Sequence, residues 1–586
     1  MEKWFVAAKR ADFKAIAEKF GINQVTARII RNRDIVGEEA IREYLYGGRG
    51  ELHSPRLLGG AMDAALLLKE KIGKKKKIRI IGDYDIDGVN ATYILYRGLQ
   101  KLGAEVDYEI PDRMKDGYGL NINLIRLAYE EGVDTILTCD NGISAIDQIA
   151  YAKELGMTVV VTDHHEPLFE EQDGDKVWKL PRADVLINPK LPKCTYPYKK
   201  ICGAVVAWKL IQMLYVVFGR QEREADGFLP FAAIATVGDV MDLDGENRII
   251  VKLGLRDLET TQNPGLRALI RAAGLEDAEL TSYHIGFVIG PCINASGRLD
   301  TAKRSLRLLL CEDAKEANLL AAQLKQLNDE RKDLTAKGVD QAVNQIEFTS
   351  LKEDRVLVVY LPDCHESIAG IIAGRIRERY HKPVFVLTDG QDCVKGSGRS
   401  IETYSMFDEM IRCQDLFLKF GGHPMAAGLS LVKENVPVFR RRINELCRLT
   451  EEDFVEKVMI DVPMPLDYIT EDLIDEFHVL EPFGKGNTKP LFAEKNLKLQ
   501  KAAVLGKNRN VLKFTVYNQN GTSMEAMYFG DVEQMQEYLA EKYGRVELEK
   551  LFQGRVNDMY LSVTYYPTVN EFRDRKTLQI VIQNYQ

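Results

Sequence analysis

Three short acidic stretches carry the residue types and spacing best suited to chemistry in this chain. They are Asp83-Tyr84-Asp85-Ile86-Asp87-Gly88, Asp140-Asn141-Gly142 and Asp163-His164-His165. Carboxylates gathered in one place repel one another unless a cation neutralises them, and hard divalent ions take carboxylate oxygens as ligands. An imidazole among those oxygens shifts the preference toward Mn²⁺ over Ca²⁺. For any single Asp in such a place the alternative is a helix N-cap, a common role for that residue. The elements before the three stretches decide whether they can meet. Residues 78–81, 135–138 and 158–162 are short runs rich in Ile, Val and Thr, which read as buried parallel strands. Ligands of open α/β sheets bind outside the carboxyl ends of the strands. Three acidic strand ends would therefore line one crevice, and the pattern predicts a metal centre.

The rest of the chain must build that crevice. A length of 586 residues exceeds what one hydrophobic core supports, so three to five domains are expected. The apolar content of 45% suits a soluble globular protein. There is no uncharged apolar run of about 18 residues, the length a membrane helix needs. The opening Met1-Glu2-Lys3-Trp4-Phe5 lacks the basic-then-apolar pattern of a secretory signal. Nine scattered cysteines without a Cys-x-x-Cys pair argue against structural zinc and a disulfide framework, and point to the cytoplasm. The formal charge of −8 does not advertise a polyanion partner, so any such groove must be a local basic surface.

Residues 1–55 read as a separate helical segment, with Phe13, Ile16, Ala17 and Phe20 at helical spacing. Strands and helices alternate over 56–300, the signature of a doubly wound parallel sheet. A helix is expected over 231–239, ending at Asp239. A long, highly charged connector helix is expected over about 313–346, within a linking region 301–350. A smaller α/β domain follows over 351–453, with strands at 356–360 and 384–387. The last part, 454–586, is rich in short β-prone runs between Gly, Asn and Asp turns, which suggests a small β-barrel.

The order Asp-x-Asp-x-Asp-Gly, Asp140, Asp-His-His and Asp239 resembles that of the DHH phosphoesterase superfamily, most closely its RecJ branch of bacterial single-strand-specific 5′ exonucleases. Further motifs carry the resemblance along nearly the whole chain. They are Pro111-Asp112-Arg113 with Gly117-Tyr118-Gly119-Leu120, Asn294-Ala295-Ser296-Gly297-Arg298-Leu299, Gly396-Ser397-Gly398-Arg399-Ser400, Gly421-Gly422-His423 through Gly428, and Glu481-Pro482-Phe483-Gly484-Lys485-Gly486-Asn487. The resemblance implies a DHH catalytic domain, a smaller DHH-associated domain joined to it by the long helix, and a C-terminal oligonucleotide-binding barrel. It implies two divalent ions, Mn²⁺ or Mg²⁺. Asp85 and Asp87 would hold one ion each, Asp140 would bridge them, and His164 and Asp239 would complete the set. His165 would contact phosphate, and Asp163 would orient a histidine by hydrogen bonding. Asp83 is either a turn residue or a hydrogen-bonding partner of a ligand.

Arg113, Asn294, Arg298, Ser397, Arg399 and His423 are the implied phosphate-binding residues, and the guanidinium fork suits that task. Two positions depart from the pattern. Relatives often carry a histidine where Ile81 stands, and an arginine where Cys292 stands. In the barrel, Phe514, Tyr517, Tyr565 and Tyr566 can either stack on bases or fill the core. The implied activity is 5′-to-3′ degradation of single-stranded DNA to 5′ mononucleotides by two-metal hydrolysis, in repair and recombination. A helicase and a single-strand-binding protein would supply the strand, and no membrane is involved. A DHH enzyme acting on short oligoribonucleotides or another small phosphodiester, and a non-catalytic strand-binding scaffold, are the competing expectations.

Overall fold

The structure, a computed structural model, describes residues 2–113, 117, 119–172, 175–572 and 575–586. The chain divides into two compact units, Arg49–Glu456 and a second formed by Met1–Gly48 with Lys457–Gln586.

The first unit contains a parallel sheet of β1 (Ile78–Ile81), β2 (Val106–Glu109), β3 (Thr135–Cys139), β4 (Thr158–Thr162) and β5 (Val185–Ile187), in the order β2-β1-β3-β4-β5. Its helices include α1 (Ile86–Gln100), α2 (Ile122–Glu130), α3 (Ile146–Glu154), α4 (Gly203–Val217) and α5 (Leu229–Gly238). Side chains on one face of the sheet, Ile78, Ile80, Leu137 and Val160, share a core with α1, α4 and α5. The other face, Ile81, Ile136, Val159 and Val161, packs on α2 and α3. Burial on both faces explains the runs rich in Ile, Val and Thr. Ile81 is part of this second apolar layer. Strand order reverses between β1 and β3, which is the switch point where such sheets open a crevice. Asp83–Asp87 follow β1 and Asp140 follows β3, so both acidic stretches border that opening.

Strand β2 is not legible as an apolar run. Val106-Asp107-Tyr108-Glu109 is half-buried at the sheet edge, and Asp107 forms a bidentate pair with Arg79 at 2.8 and 2.7 Å. A two-stranded hairpin, Leu168–Gln172 with Asp175–Lys179, is also an addition to the expected pattern.

Helix α6 (Gly290–Leu299) precedes the long α7 (Ala314–Glu347), whose 34 residues span about 50 Å at the usual helical rise. Asp313 caps α7, accepting from Glu316 N–H at 2.8 Å. The first turns of α7 bury Ala317, Leu320 and Leu324 with the parallel-sheet core, and its last turns bury Ala342 and Ile346 against a second sheet. That sheet comprises β6 (Leu357–Tyr360), β7 (Val384–Asp389), β8 (Val394–Arg399), β9 (Phe417–His423) and β10 (Ala426–Leu431), with α8 (Glu366–Tyr380) between β6 and β7. Its order is β9-β10-β8-β7-β6; β6 and β7 run parallel and the other pairs antiparallel.

In the second unit β11 (Phe492–Leu505), β12 (Val511–Tyr517), β13 (Ser523–Tyr528), β14 (Tyr560–Phe572) and β15 (Arg575–Tyr585) close into a barrel. The order is β11-β12-β13-β15-β14, and β14 pairs back onto β11. Closure removes the exposed sheet edges. Phe514 and Tyr565 are fully buried, and the Tyr565 hydroxyl donates to Met464 C=O, so both fill the core. Tyr517 and Tyr566 are half-buried, and the Lys489 ammonium stands 3.5 Å from the Tyr566 ring centroid. Phe514→Ala should cost about 3–5 kcal/mol, read as a lower denaturation midpoint of this unit. An unchanged midpoint would mean that the ring is not part of the core.

The N-terminal segment differs from the expectation of a separate helical piece. Residues Glu2–Val6 form a strand paired with Glu456–Ile460. The helices Phe13–Phe20, Gln24–Asn32 and Glu38–Tyr46 follow, and Ile29, Ile30, Ile41 and Leu45 share one core with the barrel. Short amphipathic helices cannot bury their apolar stripe alone. Tyr44 OH bonds to Asn487 Oδ1 at 2.9 Å, and Asn487 Nδ2 in turn donates to Leu480 and Pro482 C=O. The Gly-Lys-Gly-Asn motif thereby closes its own turn.

Candidate metal centre

Asp85 is the N-cap of α1, its Oδ1 accepting from Asp87 and Gly88 N–H at 3.0 Å each. Ile86 N–H donates to Asn294 Oδ1 at 2.9 Å. Asn294, expected at the substrate, thus uses its carbonyl oxygen to fix the start of α1. Asp87 is fully buried, and both carboxylate oxygens accept backbone N–H groups from the start of α4: Gly203 at 2.6 Å and Ala204 at 2.7 Å. The positive end of a helix suits an anion there. Gly203 was not singled out from the sequence. A Cβ at this position would lie 2.7 Å from Asp140 Cβ and 2.9 Å from its Oδ1, so only glycine allows the approach.

Asp140 has φ of 59°, in the left-handed region that Asp tolerates better than most residues. Its N–H donates to Thr162 C=O at 3.0 Å. Asn141 Nδ2 donates to Ile81 and Cys139 C=O, at 3.1 and 2.8 Å, and so ties together the ends of β1 and β3. Asp163, after β4, is turned inward. Its Oδ2 accepts from Ile143 N–H at 2.9 Å, and its Oδ1 accepts from His164 and His165 N–H and lies 2.7 Å from His165 Nδ1. Asp239 caps the C-terminal end of α5 and is half-exposed.

His164 Nε2 lies 3.1 Å from Asp140 Oδ1, 3.5 Å from Asp87 Oδ2 and 3.7 Å from Asp239 Oδ2. Burial pulls the His164 pKa down to about 4, so the imidazole is neutral and can present a lone pair. Burial would also lower His165, but its contact with Asp163 and the nearby carboxylates push it up to about 9. Burial and mutual repulsion raise Asp83, Asp85 and Asp140 above the ordinary carboxylate range. Burial works against the charge on Asp163 as well, yet its bonds from His165 and Ile143 hold it low.

Three sets of donor atoms each lie within 4.8 Å of one another: Asp83, Asp85 and Asp140; Asp87, His164 and Asp239; and Asp140, His164 and His165. Asp83 therefore joins the cluster rather than serving only a turn. Among the described residues, Asp83 Oδ1 and His164 Nδ1 are buried without a hydrogen-bond partner. Crowded carboxylates, a neutral imidazole and a buried oxygen left without a donor form a set that fits hard divalent cations. Asp140 and His164 each belong to two of the sets, so adjacent ions could share a ligand.

Beside this cluster stand arginines from separate elements. The Arg113 guanidinium lies 5.1 Å over the Tyr84 ring. Arg298, on α6, donates through Nη1 to Ser367 C=O at 2.8 Å. Arg399, on β8, donates to Gly398 C=O at 2.7 Å and Ser397 Oγ at 3.3 Å. Burial, then repulsion from Arg113, Arg331 and Arg399, pulls Arg298 down to about 10. Gly297 lets α6 approach the acidic loop, since a Cβ there would fall 2.3 Å from Tyr84 C=O. His423 is exposed at the end of β9; it pairs with Ala426, which on its other side pairs with Arg399. Tyr118, part of the second motif, lies outside the described residues. Cys292 is buried, its Sγ accepting from Asn328 Nδ2 of α7 at 3.5 Å.

Comparison with known proteins covers both units. Residues 77–239 match the DHH family N-terminal domain, 353–449 the DHHA1 domain and 460–584 the RecJ OB domain. The single-stranded-DNA-specific exonuclease RecJ of Bacillus subtilis (strain 168) is 35% identical over 575 residues, covering 97% of this chain and 69% of that protein. Its namesake in Escherichia coli (strain K12) is 32% identical over 548 residues, 90% of each chain. The crystal structure of RecJ from Thermus thermophilus in complex with Mn²⁺ superposes with a TM-score of 0.82 at 27% identity, covering all of this chain and 79% of that one. With three domains matched in order and about a third of residues shared along nine-tenths of both sequences, the chain belongs to the RecJ family.

Proposed function

We propose that this protein is a single-stranded-DNA-specific exonuclease that hydrolyses phosphodiesters from the 5′ end and releases 5′ mononucleotides, in DNA repair and recombination. The observation that carries this reading is the donor cluster at the sheet's switch point with arginines of α6 and β8 beside it. Asp85, Asp87, Asp140, His164 and Asp239 would hold two ions, Mn²⁺ or Mg²⁺, with Asp83 close enough to add an oxygen. When bound, two divalent ions supply the charge that activates water and stabilises the attacking and leaving oxygens of a phosphodiester.

The chain's own residues do the rest. Backbone N–H groups at the start of α4 hold the Asp87 carboxylate in one orientation. Asp163 Oδ1, 2.7 Å from His165 Nδ1, holds that imidazole turned toward a phosphate oxygen of the strand. Arg113, Arg298, Ser397 and Arg399 seat the 5′ phosphate, and His423, on the same rung of the sheet as Arg399, reaches a phosphate further along. Asn294 acts by fixing the start of α1.

In this reading residues 56–300 form the catalytic domain, 301–350 the connector, 351–453 the associated domain and 454–586 the oligonucleotide-binding domain. The protein works in the cytoplasm on strands opened by a helicase or held by a single-strand-binding protein. Among the described residues no helix is long and apolar enough to cross a membrane.

Polarity mapping tests the proposal. Long DNA and RNA strands labelled at either end, and a dinucleotide, are incubated with Mn²⁺, with Mg²⁺ or with EDTA. Mononucleotides should leave the 5′ end of DNA with either metal, stop in EDTA and return when metal is restored. Release from the 3′ end, faster turnover of the dinucleotide, or cleavage in EDTA would each refute it.

A further inference from the structure

Helix α5 ends at Asp239 in a turn that the next residue resists. Val240 N–H donates to Val237 C=O and Met241 N–H to Thr236 C=O, both at 3.1 Å. These paired bonds close a helix when the residue after its cap is left-handed. Glycine is usual there, because a Cβ in that conformation crowds the following carbonyl oxygen. The residue here is Val240, with φ of 54°, and a β-branched side chain at positive φ is an outlier. Its side chain is 61% exposed, so no packing of its own offsets the strain. Strain of this kind persists only where the surroundings over-determine the backbone.

The surroundings are a lacing between two segments. Residues 242–247 follow the turn and open the helix Gly245–Glu259, and residues 196–200 lead into α4. Asn247 is fully buried and spends both amide N–H donors between the segments, on Asp242 C=O at 3.0 Å and Lys200 C=O at 2.7 Å. Lys200 Nζ lies 2.8 Å from Asp242 Oδ2 and 3.1 Å from Asp244 Oδ2, and the Tyr198 hydroxyl donates to Asp244. Beside them Glu246 accepts from Tyr196 OH at 2.6 Å and from Lys209 Nζ of α4 at 2.8 Å, an ion pair wholly buried. The two segments flank two members of one donor set. Residues 196–200 run on to Gly203 and Ala204, whose N–H groups hold Asp87. Residues 242–247 continue from Asp239. Lacing them together fixes Asp239 against Asp87, and those two with His164 form one of the three donor sets.

We infer that Asn247 is a positioning residue for Asp239: it pins the loop beyond Val240, keeps that residue left-handed, and so holds the Asp239 carboxylate in register with Asp87 and His164 for one of the two ions. The inference rests on the metal-binding reading of the site and adds the device that aims its half-exposed ligand. Without the clamp the valine would relax toward a right-handed backbone. The last bonds of α5 would then open, and Asp239 would leave the set.

The test compares Asn247→Ala, Val240→Gly and the double variant with the parent. Mn²⁺ is titrated into the metal-free full chain, with free ion read by electron paramagnetic resonance, and melting is followed without metal. The parent should take up two ions. Asn247→Ala should bind one of them about 10-fold more weakly and the other as the parent does, the scale of losing a residue that orients a ligand. Val240→Gly should bind both as the parent does and melt about 2 °C higher, since glycine adopts the turn without strain. The double variant should regain most of the lost affinity, because glycine keeps the turn without the clamp. A merely structural role for Asn247 would lower the melting temperature, and glycine at 240 would not restore ion binding. Equal weakening of both ions, unchanged affinity in Asn247→Ala, or a double variant no better than Asn247→Ala overturns the assignment. A Val240→Gly protein that melts lower overturns the strain on which it depends. A parent that takes up fewer than two ions removes the two-ion reading of the site, and the inference with it. Should Asn247→Ala fail to fold, Asn247→Ser, which keeps one donor, carries the same comparison.

Discussion

Asp140→Asn is expected to lower turnover on single-stranded DNA by about 1,000-fold or more, the scale seen when a residue acting at the reacting centre is removed. Asparagine is the informative replacement because residue 140 has φ of 59°, which Asn accepts and Ala resists. The variant keeps the shape of the side chain and removes its charge. Asp140 Oδ1 stands 3.1 Å from His164 Nε2, and the residue belongs to two of the three donor sets, so losing it weakens both proposed ion positions. The same substitution has a second, opposite signature in the metal-free protein. Asp140 is raised by burial and by repulsion from Asp87, Asp85, Asp83 and Asp239, so neutralising it should leave the melting temperature unchanged or higher. Added Mn²⁺ should raise the parent's melting temperature and raise that of Asp140→Asn less. Near-parental turnover, or an equal response of both proteins to Mn²⁺, would exclude Asp140 as a shared ligand.

Gly203→Ala is expected to cost about 100-fold in kcat, although residue 203 offers no side chain for chemistry. The added methyl would stand 2.7 Å from Asp140 Cβ and 3.0 Å from its Cα, both parts of a rigid strand end. Either Asp140 or the start of α4 must shift. The same backbone N–H that accompanies the methyl donates to Asp87 at 2.6 Å, so one substitution disturbs Asp87 in the first turn of α1 and Asp140 just after β3. The loss should fall mainly on kcat, since the arginines that seat the phosphate lie on other elements. The Mn²⁺ concentration for half-maximal activity should rise. A variant with parental kcat and parental Mn²⁺ dependence would show that α4 does not position the cluster.

The acidic strand ends were legible because each follows a short run rich in Ile, Val and Thr, as burial on both faces of a parallel sheet favours. The edge strand Val106–Glu109 was not, because a strand exposed along one edge can keep Asp107 and Glu109. The long helix Ala314–Glu347 could be read from its charge and periodicity. The association of residues 13–46 with the barrel could not be, since their apolar stripe shows that something covers it and leaves open what does. At the site, the motif order gathers the acidic and histidine residues into one list without giving their partners. Asp87 depends on N–H groups of Gly203 and Ala204, more than a hundred residues away in sequence, and Asn294 turned out to hold a helix start.

The sequence by itself determined the family, the order of domains that match it, and the residue types that meet at the crevice. Those follow from local patterns: apolar period, glycine and acidic punctuation, and motif spacing. Only the tertiary structure decided which carboxylate oxygens are already engaged by backbone, that Asp83 joins Asp85 and Asp140, and that Asn328 of α7 meets Cys292. The physical reason is the same in each case. Hydrogen-bond saturation and charge crowding are properties of atoms a few ångströms apart, and the chain brings those atoms together from segments that no local pattern connects.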